Sequence, residues 1–364
     1  MDRSRHSRAG ILWWLRAIAL GGILVAGLAA YLVRRDWTTP YGSFPKEGMI
    51  VEIPKGSSGV RVAELLAAKG VIRSARSFRL LSLWHRRPLL AGEYFFDRPV
   101  TPQQVHGALV DGRVYLHTVT VPEGYTMFDI ADLLEREGLA ARKDFLKAAG
   151  EPSLVRDIAP GARNVEGFLF PDTYKFPRGI TPRRITEAMS RRFHEEWGKL
   201  PAQKGEARPE PLEIITVASL VERETAVAEE RPRVASVFYN RLRKGMALDC
   251  DPTVIYALRL EARPAAKLTF ADLRVASAYN TYQHRGLPPG PIANPGQASL
   301  RAALEPEKTD YFYFVADATG KHVFSRTLAE HNRNVSRYRH RRAQMAREEA
   351  RTAKSRSSAS RQAP

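Results

Sequence analysis

Residues 51–78 read VEIPKGSSGVRVAELLAAKGVIRSARSF, and residues 119–145 read VTVPEGYTMFDIADLLEREGLAARKDF. Laid over one another without gaps at an offset of 68, residues 53–71 and 121–139 agree at six of 19 positions: Pro54/Pro122, Gly56/Gly124, Ala63/Ala131, Leu65/Leu133, Leu66/Leu134 and Gly70/Gly138. Average composition gives about one agreement in such a window, so the chain holds an internal repeat. Each copy predicts a strand, a Pro-x-Gly turn and an amphipathic helix. Val62, Leu65 and Leu66 form the apolar stripe of the first helix, Ile130, Leu133 and Leu134 that of the second, and a glycine stops each. The echo extends further, because Gly92-Glu93-Tyr94-Phe95-Phe96 before Val100-Thr101-Pro102 parallels Gly167-Phe168-Leu169-Phe170 before Ile180-Thr181-Pro182. Two readings of the repeat are open at this point: a pair of similar packing units, or a small glycan-binding module.

Upstream of the repeat, residues 17–33 read AIALGGILVAGLAAYLV without a charge, and residues 11–15 extend the apolar run beyond Arg16. A bilayer core needs roughly 17 to 25 such residues, and Arg16 can reach the interface along its own stem. Arg3, Arg5 and Arg8 precede the run and Arg34 and Arg35 follow it, a modest bias toward a cytoplasmic N-terminus. A cleaved signal peptide is the rival reading, with small residues at 27–30 as the cut. The run continues through Tyr31-Leu32-Val33 past those sites, which favours a retained anchor. Either way the rest of the chain is expected outside the cytoplasm.

The chain of 364 residues carries a formal charge of +18, a value that suggests nucleic acid until it is divided. Residues 1–35 hold six arginines against one acid, and residues 331–364 hold ten basic residues against two acids. The stretch between them has 41 basic and 36 acidic residues, so the basicity belongs to the ends and nucleic-acid binding is not expected. A single cysteine, Cys250, excludes an intramolecular disulfide framework and any multi-cysteine metal site. The nine histidines are scattered, and no metal or cofactor is called for.

Downstream of the repeat, residues 212–229 and 232–244 read as helices, the second with Pro232 in its first turn and Gly245 as its stop. Asp251-Pro252 opens a third, with Asp251 as N-cap. Residues 286–296, GLPPGPIANPG, are too rich in Pro and Gly for regular structure and read as a long ordered loop. Residues 311–316 and 322–324 flank a turn and read as a β-hairpin. Residues 341–364 read as a basic, solvated, disordered tail.

Nucleophile elbows, zinc-binding His-Glu pairs and phosphate-binding glycine loops are absent from the sequence. What remains is ITVASLVERET at 215–225, two acids in an apolar helix. Glu222 shares a helical face with Ala218, Ser219, Thr225 and Ala226, all small, which leaves room for a substrate; Glu224 lies over Leu220, Val221, Val227 and Ala228. Burial of either carboxyl would raise its pKa and suit it to donate a proton near neutrality. Periodicity makes both candidates and does not choose. A salt bridge from either to Arg223, Arg231 or Arg241 is the structural alternative.

These residues sit within a longer pattern: SLVERET at 219–225, VASVFYNRL at 234–242, DPTVIY at 251–256, VEGFLFPDTY at 165–174, AYNTY at 278–282, the 286–296 loop, and HVFS and EHN at 322–325 and 330–332. In order and spacing, over roughly residues 48–340, the chain resembles the YceG-like family of endolytic murein transglycosylases. The resemblance implies an α+β architecture: an N-terminal transmembrane helix, a LysM-like βα repeat region, then a mixed α/β catalytic domain with a helical centre and a β-hairpin. The corresponding segments are 1–10 cytoplasmic, 11–33 anchor, 34–47 linker, 48–115 LysM-like, 116–340 catalytic and 341–364 tail. It implies a single-pass protein of the bacterial inner membrane with the catalytic domain on the periplasmic or outer side. Peptidoglycan glycan strands are the implied substrate and peptidoglycan synthases the implied partners.

The resemblance also implies that the Glu after Leu220-Val221, Glu222, is catalytic, with Glu224, Asn240, Asn280, Thr281 and Asn294 at the substrate. The two asparagines at 280 and 294 read equally well as turn caps. The implied chemistry uses one Glu, first as acid to the leaving oxygen and then as base to the muramyl 6-hydroxyl, giving 1,6-anhydro ends without a second carboxylate. A non-catalytic wall-binding scaffold is the alternative. The chain departs from the family in having Asp249 and Cys250 where Gln and then Ser or Thr are usual.

Overall fold

The computed structural model describes residues 4–201, 209–263, 267–317 and 319–360, with side chains between 13 and 345. Helix α1 (Ser4–Thr38) contains one stretch, Trp13–Thr38, long and apolar enough to cross a membrane. It runs through Arg34, Arg35 and Asp36, so the first residues of the expected linker are helical. Its last turn is tied down: the Trp37 indole N–H donates to the Ser77 carbonyl at 3.0 Å.

Two compact units follow from the chain's own contacts: residues 1–117 with 175–179, and residues 118–174 with 180–364. In the first, β1 (Met49–Ile53) leads into α2 (Gly59–Ala68) and α3 (Ala75–His85), and β2 (Gly92–Phe96) returns antiparallel to β1. The register places Val51 opposite Tyr94 on the buried face. Strand alternation then does the sorting, since side chains two apart share a face. Val51, Ile53, Val62, Leu66, Phe78, Leu81, Tyr94, Val105 and Leu109 form the core, the last two from α4 (Pro102–Asp111).

The repeat in the sequence is a repeat in structure. β3 (Leu116–Thr120), α5 (Met127–Arg136), α6 (Arg142–Ala149) and β4 (Thr173–Pro177) follow the order of β1, α2, α3 and β2, and β3 pairs with β4. Helices α2 and α5 start at equivalent positions behind N-caps Ser58 and Thr126, whose hydroxyls accept from the N–H of Arg61 and Asp129. The echo reaches one helix further, because Thr101 caps α4 and Thr181 caps α7 (Pro182–Trp197), each with Pro in the first turn. The echo between residues 92–96 and 167–170 is not one of structure, because 92–96 form β2 while 167–170 are not extended and β4 starts at Thr173. Gly167 takes a φ of +90° there, and Phe168 and Leu169 are buried in the core.

The second unit is built around α8 (Pro211–Glu224), whose residues from Ile214 to Val221 are all buried. A helix apolar on every side belongs inside a domain. α9 (Arg231–Arg243), α10 (Asp251–Leu260) and α11 (Gln297–Leu304) pack on it. The loop at 286–296 is irregular as expected, and residues 290–296 are buried. Strands β5 (Tyr313–Ala316) and β6 (His322–Ser325) form the expected hairpin.

Three expectations need correction. α8 ends at Glu224, not at 229, because Thr225 is extended and its hydroxyl accepts from the Val227 N–H at 3.0 Å. Cys250, not Asp251, is the N-cap of α10. Residues 341–360 continue α12 (Leu328–Ser360) and are not a disordered tail. Between Leu328 and Ser360 the sequence has no Gly or Pro and is rich in Ala and Arg, which favour helix by their own propensity.

Candidate active site

Helix α8 delivers both acids in its last turn, where the two point to different sides. Glu222 has a side chain only 6% exposed. One oxygen accepts from the Arg231 guanidinium at 3.3 Å and the other from the Gly296 N–H at 3.0 Å. Arg231 also lies 3.5 Å from Glu123, whose carboxylate fills the space a Cβ on Gly296 would need. Burial and the neighbouring charge of Glu222 raise the Glu123 pKa, and Arg231 opposes them. The small-residue face that promised room for a substrate is occupied by the protein itself. Ser219 accepts from the Ile292 N–H at 3.1 Å, and the 292–296 segment lies against that face.

Glu224 is the acid that meets open space. It lines a cavity of about 370 Å³ with Asp249, Cys250, Asp251, Arg241 and Tyr282, closed further by Tyr313, Phe314 and His331. Burial pushes its carboxyl above the ordinary carboxylate range. The Cys250 thiol, donating to its Oε1 at 3.1 Å, pulls the other way, and the Asp251 charge adds to the rise. As the last helical residue, Glu224 also sits at the negative end of the α8 dipole, which disfavours the carboxylate.

The four polar residues expected at the substrate are buried, and their polar atoms are spoken for. Asn240 donates to the carbonyls of Thr309 and Tyr311 and accepts from Arg243, fastening the strand before β5 to α9. Asn280 donates to the carbonyls of Leu273 and Val275 and accepts from the Tyr282 N–H. Thr281 accepts from the Cys250 N–H at 3.0 Å and shares a hydroxyl contact with Thr253 at 2.9 Å, which fixes the start of α10. Asn294 accepts from the N–H groups of Gly167 and Leu169 and donates to the Tyr125 carbonyl and Glu166. Thr281 fixes the Cys250 side of the cavity wall and Asn280 the turn before Tyr282, whereas Asn294 ties the 292–296 segment to Tyr125 and Glu166 away from the cavity.

The side chains that do face the cavity come from neighbouring positions in the same motifs. Tyr282 follows Asn280 and Thr281, and its hydroxyl donates to Asp251 at 2.6 Å. Asp249 takes a left-handed φ of +48° and pairs with Arg241 at 3.2 Å. Through Nε and Nη1 Arg241 also donates to the carbonyls of Phe312, Ala247 and Leu248, which hold it in the wall. In AYNTY the buried Asn and Thr anchor the turn and the flanking aromatic is the exposed one, a distinction that polarity alone misses. Among the described residues no group of three or more His, Cys, Asp or Glu side chains could hold a metal ion.

The site is thus a carboxyl held above its ordinary range by burial, in a polar and aromatic cleft. The YceG-like family matches residues 51–337. An endolytic murein transglycosylase of Bacillus subtilis is 32% identical over 326 residues, covering 85% of this chain and 90% of that protein. One from Streptococcus pneumoniae is 27% identical, covering 92% of this chain and 66% of the relative. The crystal structure of a YceG-like protein from Listeria monocytogenes superimposes with a TM-score of 0.52 at 35% identity, over 79% of this chain and 99% of that one. The match spans both copies of the repeat, all of the cavity and the hairpin, and on that extent the chain belongs to the YceG-like family.

Proposed function

We propose that this chain is a membrane-anchored endolytic murein transglycosylase and that Glu224 is its proton-transferring residue. The activity rests on family membership and on the curated relatives of that name. The assignment within the site rests on one observation: of the two acids of α8, Glu224 lines the cavity and Glu222 is consumed by Arg231 and the Gly296 N–H. This moves the role from Glu222, to which the resemblance points, to the acid two residues on.

Breaking the bond between N-acetylmuramic acid and N-acetylglucosamine passes through a cation-like sugar, so the departing oxygen must receive a proton. Glu224 in its acid form supplies it, and burial keeps that form populated toward neutral pH. The muramyl 6-hydroxyl then closes on the anomeric carbon, and the Glu224 carboxylate takes the proton it releases. The products are a 1,6-anhydro-muramyl end and a free 4-hydroxyl, and the enzyme returns to its acid form. Tyr282 and Tyr313 on the cavity wall supply flat apolar faces of the kind that seat sugar rings.

The α1 span is the membrane anchor, and the arginines before it favour the cytoplasmic side for the N-terminus. On this reading residues 34–364 lie on the outer side of the bacterial cytoplasmic membrane. The βααβ unit over residues 48–115 serves as a LysM-like glycan-binding module ahead of a catalytic region at 116–340. Peptidoglycan synthases acting on the same strands are its partners.

The test compares Glu224→Gln and Glu222→Gln in the full-length, detergent-solubilised protein on uncrosslinked glycan strands, read by mass spectrometry. The expected result is internal fragments with 1,6-anhydro ends from wild type and Glu222→Gln, and a loss of at least about a hundredfold in Glu224→Gln. Loss confined to Glu222→Gln returns the role to that residue. No cleavage by folded wild type leaves the wall-binding scaffold.

A further inference from the structure

Cys250 and Asp251 are consecutive, and both reach the cavity that holds Glu224. The Cys250 thiol donates to Glu224 Oε1 at 3.1 Å, and the thiol is itself kept protonated by burial and by the Glu224 charge. Asp251, in the first turn of α10, presents a carboxylate to the same cavity and accepts from Tyr282 at 2.6 Å. Three bonds stiffen the segment: Cys250 N–H to Thr281, Thr253 hydroxyl to the Cys250 carbonyl, and Thr253 to Thr281. Residues 250 and 251 are therefore held at fixed positions beside the acid.

We propose that Cys250 and Asp251 are positioning residues that set the protonation of Glu224 from opposite sides, the thiol by bonding to its carboxylate and the aspartate by its charge. A donor bonded to a carboxylate favours the ionised form; a like charge nearby favours the acid form. The balance decides how far toward alkaline pH the enzyme keeps its proton donor. This rests on the reading of Glu224 as the proton-transferring residue.

Of the other charged and titratable groups around Glu224, His322 and Arg223 act in the same direction as the thiol, their charges lowering its pKa, and both are unchanged in the variants below. Arg223 on α8 donates to the Gly124 carbonyl. Arg241 on α9 is matched by Asp249 at 3.2 Å. His322 on β6 is engaged by Glu230 at 2.7 Å. His331 on α12 lines the same cavity, and burial followed by the Arg241 charge lowers its pKa, leaving it neutral around pH 7. Tyr282 stays protonated, since burial and its bond to Asp251 raise its pKa.

The signature is a pair of adjacent substitutions with opposite effects. The rate requires protonated Glu224, so kcat/KM falls as pH rises through the pKa of Glu224 in the free enzyme. Asp251→Asn removes the charge and keeps an acceptor for Tyr282, so the alkaline limb moves down by about half a pH unit or more. Cys250→Ala removes the donor, so the limb moves up, and Cys250→Ser restores it toward the wild-type position. Above both limbs each unit of movement is about a tenfold change in rate.

The experiment is the pH profile of kcat/KM, from pH 4 to 9, for full-length wild type and these three variants, with Glu224→Gln alongside and a thermal melt for each. Opposite movements of the limb, each read against that variant's own acid-side rate, are the expected result. Rescaling of the rate by the same factor at every pH, or movement in one direction by both variants, overturns the proposal and leaves a structural role. Wild-type activity in Glu224→Gln instead overturns the underlying reading and this proposal together, so the two failures are distinguishable.

Discussion

Two glutamates two positions apart on one helix illustrate what a sequence can and cannot say about a side chain. The wheel separates them onto different faces; of the four small residues it gave the Glu222 face, Ala218 and Ser219 are helical and buried, while Thr225 and Ala226 lie past the end of α8. It cannot say what fills the space those small residues leave. A substrate is one occupant, and a loop is another: Ile292 and Gly296 bring backbone N–H groups to Ser219 and Glu222, and Arg231 completes the enclosure. The salt bridge to Arg231, weighed from the sequence as one alternative, is the arrangement found. The same limit applies to Asn240, Asn280, Thr281 and Asn294, recognisable as important by motif but turned inward to satisfy backbone groups. The Glu222–Arg231 pair is buried on both sides, at 6% and 11% exposure. Removing one partner of such a pair strands the other charge, at a cost of about 3 kcal/mol. Arg231→Ala should therefore lower the urea midpoint by the equivalent of about 3 kcal/mol, whereas a solvent-screened pair would cost under about 1 kcal/mol. The corresponding change at the exposed Arg183–Glu187 pair, made as Arg183→Ala, is the control that should stay near wild type.

At the scale of elements, periodicity served best where a segment has one buried face and clear punctuation. The α2 and α5 stripes and their glycine stops were readable, and the Ser and Thr caps of these helices and the threonine-proline starts of α4 and α7 rest on local chemistry of the same kind. The extent of α8 was not, because its stop depends on Thr225 bonding to Val227, a side-chain competition that hydrophobic spacing does not register. The helical course of residues 341–360 was masked by composition, since a polar, charged stretch is typical both of disorder and of a solvated helix. The 286–296 loop shows how irregular backbone can still be held at fixed positions. Pro291 packs on Gly167, where an added Cβ would lie 2.5 Å from two ring carbons and 3.1 Å from Ile215, at a φ of +90°. A flexible side chain could move aside, but a proline ring set in a buried loop against the core of α8 cannot. Gly167→Ala is expected to cost about 3 kcal/mol from steric conflict and backbone strain together, visible as a lower melting temperature. Gly179→Ala, also at positive φ but with open space around the added carbon, isolates the backbone share, about 1 kcal/mol.

At the scale of the whole molecule, the second unit buries ionisable groups, and the consequence is a dependence on pH. Glu166 is 1% exposed, accepts from the Met127 N–H at 3.0 Å and from Asn294 at 2.8 Å, and burial pushes its pKa up to about 8 against that N–H. In the unfolded chain an ordinary Glu titrates near 4.3. Between about pH 4.5 and about 8 the folded state therefore holds a proton on Glu166 that the unfolded state has released. Unfolding then releases a proton, so stability is greatest below the unfolded pKa and declines as pH rises, with a slope of up to about 1.4 kcal/mol per unit until the folded carboxyl also ionises. Glu224 and Glu123, whose pKa values are also raised by burial, act in the same direction. Glu166→Gln removes the titration while keeping an oxygen for the Met127 N–H and for Asn294. Urea unfolding of the full-length protein across pH 5 to 8 should show the wild-type midpoint falling with pH and a shallower fall in Glu166→Gln, with the two curves separating most at the alkaline end. Parallel curves would mean that Glu166 ionises alike in both states, and that its carboxyl is neutralised in the fold by a partner other than a proton.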